Sequence, residues 1–347
     1  MTEREYRAVP KNSSSSLKEF SIDKRKYRKT FILKERAETI DGDAVMMGNL
    51  VETLLMEPER FDDLFYMSAC ATIPGPATAM GKFVEALAKY TVAATDVDTG
   101  VVTEDFMTMV EKAHVDSQYK IKIPAVLKKF EGSDAEIYYE ELVKVRFNKL
   151  TVITPNDVNN AERVVMELQT NPITATIVNL KSGSRFEVYN QMKVTDFEID
   201  GMPMKSMLDK VIVDHGDKTI QFYDLKCTWS VEKFYKEYYL FRRAYIQAYV
   251  YNAALKYLTT IEDTPFYKYE VLLPKFLVCD SINYYSPLIY VLTEKDMKEA
   301  YEGFETRGYK YPGVKQIIQD LFWANENDTW NISKENFLNN GLVKLKY

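Results

Sequence analysis

Residues 205–230 read KSMLDKVIVDHGDKTIQFYDLKCTWS. Residues 207–214 are largely apolar and β-branched, His215-Gly216-Asp217 carries turn chemistry, and residues 219–225 are again β-rich, so the run predicts a hairpin. Asp209 falls on its first strand and Asp224 near the end of its second. Alternate residues of an extended strand share a face. Asp224 and Lys226 therefore point the same way, and Leu225 is expected to point into the core. Two carboxylates and an amine meet at neighbouring strand ends.

Working outward, further strands are expected at 184–190, 193–199, 206–214 and 219–226. A long helix follows from Ser230 to Tyr257, then strands near 269–279 and 286–292, a helix over 294–307, a break at 309–312 and a last amphipathic stretch. Upstream, Ser16 is expected to cap a helix starting at Leu17, and residues 44–66 read as helical. Helical periodicity dominates 81–150, with breaks at 96–100 and Pro124 and a helix start at Asp105/Phe106. Thr154 to Asp157 caps a helix through Leu168. The sum is an α/β (α+β) chain, a mixed central sheet flanked by helices. It is expected to form one domain: N-terminal helices over 1–65, a helical insertion over 66–150, and the catalytic core with C-terminal helices over 151–347.

Two carboxylates, a backbone carbonyl and waters make the hard oxygen shell that Mg²⁺ or Mn²⁺ prefers. A neighbouring amine can position or help deprotonate a nucleophile, or stabilise charge developing on a phosphate. A D-x-K on a strand is also the ordinary form of a surface ion pair, and only its company separates the two readings.

That company comes from four blocks. GNLVETLLMEPERF at 48–61 has the form G-x-x-x-(H/E)-x-L-L-x-E-P-x-x-F, with Glu52 in the variable position and Leu50, Leu54, Leu55 and the methionines at core-like helical spacing. RFEV at 185–188 opens a strand, with Glu187 either facing a site or serving as a strand-edge charge. The D-(x)n-D-x-K run is the third. QAYVY at 247–251 has the form Q-x-x-x-Y, and Arg243, Gln247 and Tyr251 are successive i, i+4 neighbours on one helix side. Phe234, Tyr238, Phe241 and Tyr245 form a second, core-like stripe.

In this order the blocks resemble the PD-(D/E)xK nucleases, specifically the RecB-like, phage-type exonucleases of the exodeoxyribonuclease VIII and lambda exonuclease branch; the S-x-x-L-K-x-F opening at residues 14–20 is similar to theirs too. The resemblance covers 12–61 and 150–335 and implies a restriction-endonuclease-like core. It implies Asp209, Asp224 and the Leu225 carbonyl as metal ligands and Lys226 as catalytic. Glu52 would be an auxiliary ligand or would orient water, while Gln247 and Tyr251 would face the scissile strand and Arg243 a phosphate. The implied activity is Mg²⁺-dependent (or Mn²⁺-dependent) exonucleolytic hydrolysis of linear duplex DNA, 5′ to 3′, by a homo-oligomer that leaves a 3′ strand for a single-strand annealing protein. Rival readings are a structure-selective or single-strand endonuclease, and a nuclease-fold DNA-binding protein without turnover.

Composition narrows the field. The chain has 347 residues, 46% of them hydrophobic, with only 13 Gly and 12 Pro, which suits a sizeable globular core. No apolar run reaches membrane-spanning length and the N-terminus is polar, so no membrane contact and a cytosolic (cytoplasmic) protein are expected. Cys70, Cys227 and Cys279 lack metal-site spacing, which excludes a zinc ribbon or a four-cysteine cluster. Cys227, opposite Lys226 in the alternation, is expected on the core side. With only two histidines, His114 and His215, carboxylates are left to hold any metal. The net charge of −6 is unlike that of a DNA-binding surface. The local cluster Lys24, Arg25, Lys26, Arg28 and Lys29 around Tyr27, followed by Lys34 and Arg36, fits either a DNA channel or a solvated amphipathic segment. No G-x-x-x-x-G-K-(S/T) loop is present, which excludes a P-loop NTPase.

Overall fold

The computed structural model describes residues 1–35, 43–70, 72–96, 99–146 and 150–343, so Arg36 lies outside the described residues. The chain forms two compact units, one of residues 40–167 and one of 1–39 with 168–347. Among the described residues no helix is long and apolar enough to cross a membrane.

The unit of residues 40–167 is helical. Its helices Ala79–Ala94, Phe106–Asp116, Ile123–Phe130 and Asp134–Arg146 bury Phe83, Val84, Leu87, Val110, Val126 and Phe130. Asp105 caps Phe106–Asp116 by accepting from the Thr108 N–H, as its sequence predicts. Thr154 and Asp157 cap the helix Pro155–Thr170 reciprocally. The helix Asp43–Met56 buries Leu50 and Val51 fully, whereas Leu54 and Leu55 are half-buried. Helix does not continue to residue 66: β1 (Phe65–Met67) pairs in parallel with β2 (Thr151–Ile153).

The other unit is built on a mixed sheet flanked by helices. Its strands are β3 (Phe186–Ile199), β4 (Met202–Asp214), β5 (Thr219–Thr228), β6 (Glu270–Val271), β7 (Lys275–Asp280) and β8 (Leu288–Val291). Their order is β3-β4-β5-β7-β8, with β6 also beside β5. β3 through β5 are antiparallel, β5 and β7 parallel, and β7 and β8 antiparallel.

The expected hairpin is β4 and β5, tied at its turn by Arg185, which donates to both Asp214 and Asp217. That guanidinium first, then the Asp217 and Gly216 N–H groups, hold the Asp214 carboxyl down at about 2. A lowered carboxylate value means stability present above the ordinary carboxylate pKa and lost as pH falls through the folded one. Arg185→Gln is therefore expected to lower the melting temperature at pH 7, by a margin that shrinks between about pH 4 and pH 2. Thermal melts across that range check it, and a margin independent of pH would refute the assignment.

Several boundaries differ from expectation for local reasons. The strands expected at 184–190 and 193–199 are one strand, and β4 starts at Met202, because Asp200 (φ 49°) and Gly201 (φ 77°) make a tight two-residue turn. The strand expected over 269–279 is divided into β6 and β7. The helix after Thr293 stops at Glu302, not Arg307: Gly303 takes φ 92°, and β9 (Gly303–Thr306) pairs with β10 (Tyr309–Pro312). A Cβ on Gly313 would stand 2.2 Å from the Tyr301 carbonyl oxygen, so this corner admits only glycine there.

The long helix expected from Ser230 is broken as well. A 3₁₀ turn at Val231–Lys233 leads into a π-helix at Tyr235–Phe241, and an α-helix runs only from Ala244 to Leu258. A π-helix turns less per residue than an α-helix, so a stripe spaced for 3.6 residues drifts off its face. Phe234, Tyr238 and Tyr245 are core, while Phe241 is 79% exposed.

Candidate active site

Parallel strands need a crossover, and here the helix Ala244–Leu258 supplies it between β5 and β7. It packs back on the sheet, with Tyr251 edge-on to Phe222 of β5, and shares the main core with Ile220 of β5 and Phe276 and Val278 of β7. Asp224 and Lys226 continue that same face. Leu225 and Cys227 therefore point away from the main core, not into it, although Leu225 is buried and Cys227 half-buried. Alternation correctly separates Asp224 and Lys226 from Leu225. It does not tell which face the larger core covers, because β5 is a central strand covered on both sides.

The register that pairs Lys210 with Tyr223 carries Asp209 opposite Asp224 one step further on. Asp209 is buried and its Oδ2 accepts the Leu225 N–H at 2.9 Å. Asp224 is 1% exposed. Its Oδ1 accepts from Gln247 Nε2 at 2.7 Å, and its Oδ2 faces the Lys226 ammonium. That ammonium also donates to the Leu225 carbonyl oxygen at 3.2 Å. Gln247 Nε2 makes a second bond, to the Tyr251 hydroxyl at 2.9 Å. Burial first, and the Asp209 and Asp224 charges next, push the Tyr251 hydroxyl well above its ordinary pKa, so it stays protonated. The expected grouping of Asp209, Asp224, Leu225, Lys226, Gln247 and Tyr251 is thus assembled in one place.

Lys18 joins them. It sits on the helix Ser14–Ile22, whose Leu17 and Phe20 are fully buried in the main core, and its Nζ donates to Gln247 Oε1 at 3.2 Å. Burial and the nearby Lys226 push its ammonium down to about 8 against the pull of Asp224 and Asp209, so it is charged at neutral pH. The helix is capped by Ser13, not Ser16; Ser16 answers as the reciprocal partner of the cap. A lysine between two core-facing residues of a short amphipathic helix is the signal that could have found it.

Of the basic cluster that follows, Lys24, Lys26 and Arg28 have partners within this unit. Lys26 pairs with Glu19, and Arg28 pairs with Asp328 and lies over Trp330. Lys24 lies over the Phe20 ring, and Arg25 is exposed. Tyr27, read as an aromatic among cations, is core: 4% exposed, bonded to Asn12 and stacked near Trp330. Arg243 is not on the Gln247 side of a continuous helix. It sits at the break in the left-handed conformation (φ 55°), with Nη1 shielded and without a hydrogen-bond acceptor. The exposed Arg242, over the Tyr238 ring, is the arginine whose charge reaches Lys18. Glu187 meets His215 at the turn end of the hairpin, away from Asp209 on β4. Glu52 lies half-buried on Asp43–Met56 in the other unit.

The donor set suits a hard divalent cation. Asp224 Oδ2 and the Leu225 carbonyl already converge on one positive charge, the Lys226 ammonium. Among the described residues no group of three or more His, Cys, Asp and Glu gathers as a metal centre. One or two carboxylates and retained waters are what Mg²⁺ takes.

No family model and no curated protein matches the chain. A crystal structure from Eubacterium rectale, named provisionally as an exonuclease, is similar with a TM-score of 0.47 and 12% sequence identity; the match covers 100% of this chain and 95% of that one.

Proposed function

We propose that this chain is a divalent-cation-dependent deoxyribonuclease that removes nucleotides from the ends of linear duplex DNA. The reading is carried by one observation: near the end of β5 the buried Asp224 carboxylate and the Leu225 carbonyl meet the Lys226 ammonium, and a second buried carboxylate, Asp209, accepts the Leu225 N–H beside them. On this reading Asp209, Asp224 and the Leu225 carbonyl hold Mg²⁺ or Mn²⁺. The bound cation supplies positive charge that polarises a phosphoryl oxygen. Lys226, released from its two oxygens, holds or gives up a proton at Nζ and offsets charge developing on the phosphate. Gln247 keeps the Asp224 carboxylate turned, and Tyr251 steadies Gln247. Action from the 5′ end, hand-over of the 3′ strand to an annealing protein, and a homo-oligomeric form follow from the sequence resemblance and belong to the proposal.

Time-resolved digestion tests it, with 5′- and 3′-labelled linear duplex and covalently closed circles, in Mg²⁺ and in chelator. Loss of label from linear ends with circles intact is expected, in Mg²⁺ only. Nicking of circles would replace the exonuclease with an endonuclease, and DNA binding without cleavage would leave a non-catalytic protein.

A further inference from the structure

We infer that Lys18 is a positioning residue for this site: it fixes the orientation of the Gln247 amide and, through it, the Asp224 carboxylate. The inference rests on the nuclease reading and assigns a role to the lysine of the S-x-x-L-K-x-F opening, to which the sequence resemblance gives none.

An amide has two unlike ends of nearly equal shape, and nothing within the side chain decides which way it lies. Here the surroundings decide. Oε1 accepts from the Lys18 ammonium at 3.2 Å, while Nε2 donates to Asp224 Oδ1 at 2.7 Å and to the Tyr251 hydroxyl at 2.9 Å. Turned over, the amide would set its NH₂ against an ammonium and its carbonyl against a carboxylate, donors facing a donor and acceptor facing acceptor. Lys18 therefore excludes the wrong orientation. With Oδ1 of Asp224 occupied by the amide, Oδ2 is the oxygen left for the cation.

The placement of Lys18 is itself rigid. Its helix is anchored by Leu17 and Phe20 in the main core and packs on the helix that bears Gln247. Partners that orient a metal's ligands contribute about 10- to 100-fold to affinity or activity, the scale expected for Lys18.

The test is a double-mutant cycle on the full chain, with Lys18→Met, Gln247→Leu, the pair together, and Lys18→Arg and Asp224→Asn alongside. Cleavage of end-labelled linear duplex in Mg²⁺ gives kcat and KM, and circular dichroism confirms folding. Lys18→Met and Gln247→Leu are each expected to lower kcat by about tenfold with KM unchanged, the double variant by no more than either single one, and Lys18→Arg to recover most of the loss. Residues acting independently would multiply to about a hundredfold, which would overturn the coupling. A rise in KM alone, with a flatter salt dependence, would make Lys18 a phosphate contact and overturn it too. Should Lys18→Met fail to fold, Lys18→Gln, which also removes the ammonium, runs the same cycle with Gln247→Leu, and independent losses there would overturn it. Wild-type kinetics in Lys18→Met beside an inactive Asp224→Asn would sink this inference alone; wild-type kinetics in Asp224→Asn would sink the nuclease reading itself.

Discussion

Asp224→Asn is expected to reduce Mg²⁺-dependent cleavage of linear duplex by about a thousandfold or more while the protein stays folded. The substitution keeps the shape of the side chain, and an asparagine oxygen can still accept from Gln247 Nε2, as Oδ1 does now. It removes the charge on the oxygen that faces Lys226 and, on the proposed reading, the cation. Because Asp224 is 1% exposed, water cannot replace the lost ligand. The Lys226 side chain, 21% exposed, can turn to solvent, so the charge it leaves behind is not trapped. Cleavage assays with calorimetric titration of Mn²⁺ check both halves. Activity within tenfold of wild type would remove Asp224 from the site.

Lys226→Met separates the two roles of the lysine. Cleavage is expected to fall by about 10²- to 10⁴-fold, as for loss of a positioned proton carrier. Cation binding is expected to strengthen, because the ammonium occupies the place between Asp224 Oδ2 and the Leu225 carbonyl oxygen. Methionine keeps the length and apolar stem without the charge. The variant leaves Asp224 buried without its counter-ion, which destabilises the apo form, and a bound cation then restores more stability than in wild type. Thermal melts with and without Mn²⁺ read this directly. A smaller Mn²⁺-induced rise in Lys226→Met than in wild type would show that the lysine organises the site and does not compete for it.

How much of this was legible in the chain can be judged residue by residue. Asp209, Asp224 and Lys226 were readable because a strand has a period of two and a hairpin has turn chemistry, both local properties. Gln247 and Tyr251 were readable because four residues bring side chains to one helix side, and the Ala244–Leu258 helix is regular. Arg243 failed for the complementary reason: the helix was expected to run through it, and a π-helix with a left-handed break intervenes. Phe241 failed with it, since the 3.6-residue stripe crosses that π-helix. Tyr27 was read as an aromatic among cations, whereas the fold packs its ring against Phe20, Phe31 and, 303 positions away, Trp330.

The sequence by itself determined the hairpin, the facing of Asp224 with Lys226, and the chemistry available to them, since neighbours along a chain decide those. Only the tertiary structure decided which side of β5 faces the main core, that the Lys226 ammonium sits where Asp224 and the Leu225 carbonyl converge, and that Lys18 meets Gln247. The physical reason is distance along the chain. Lys18 and Gln247 are separated by 229 positions, and no period or propensity relates two such residues until the burial of Leu17 and Phe20 brings their helices together.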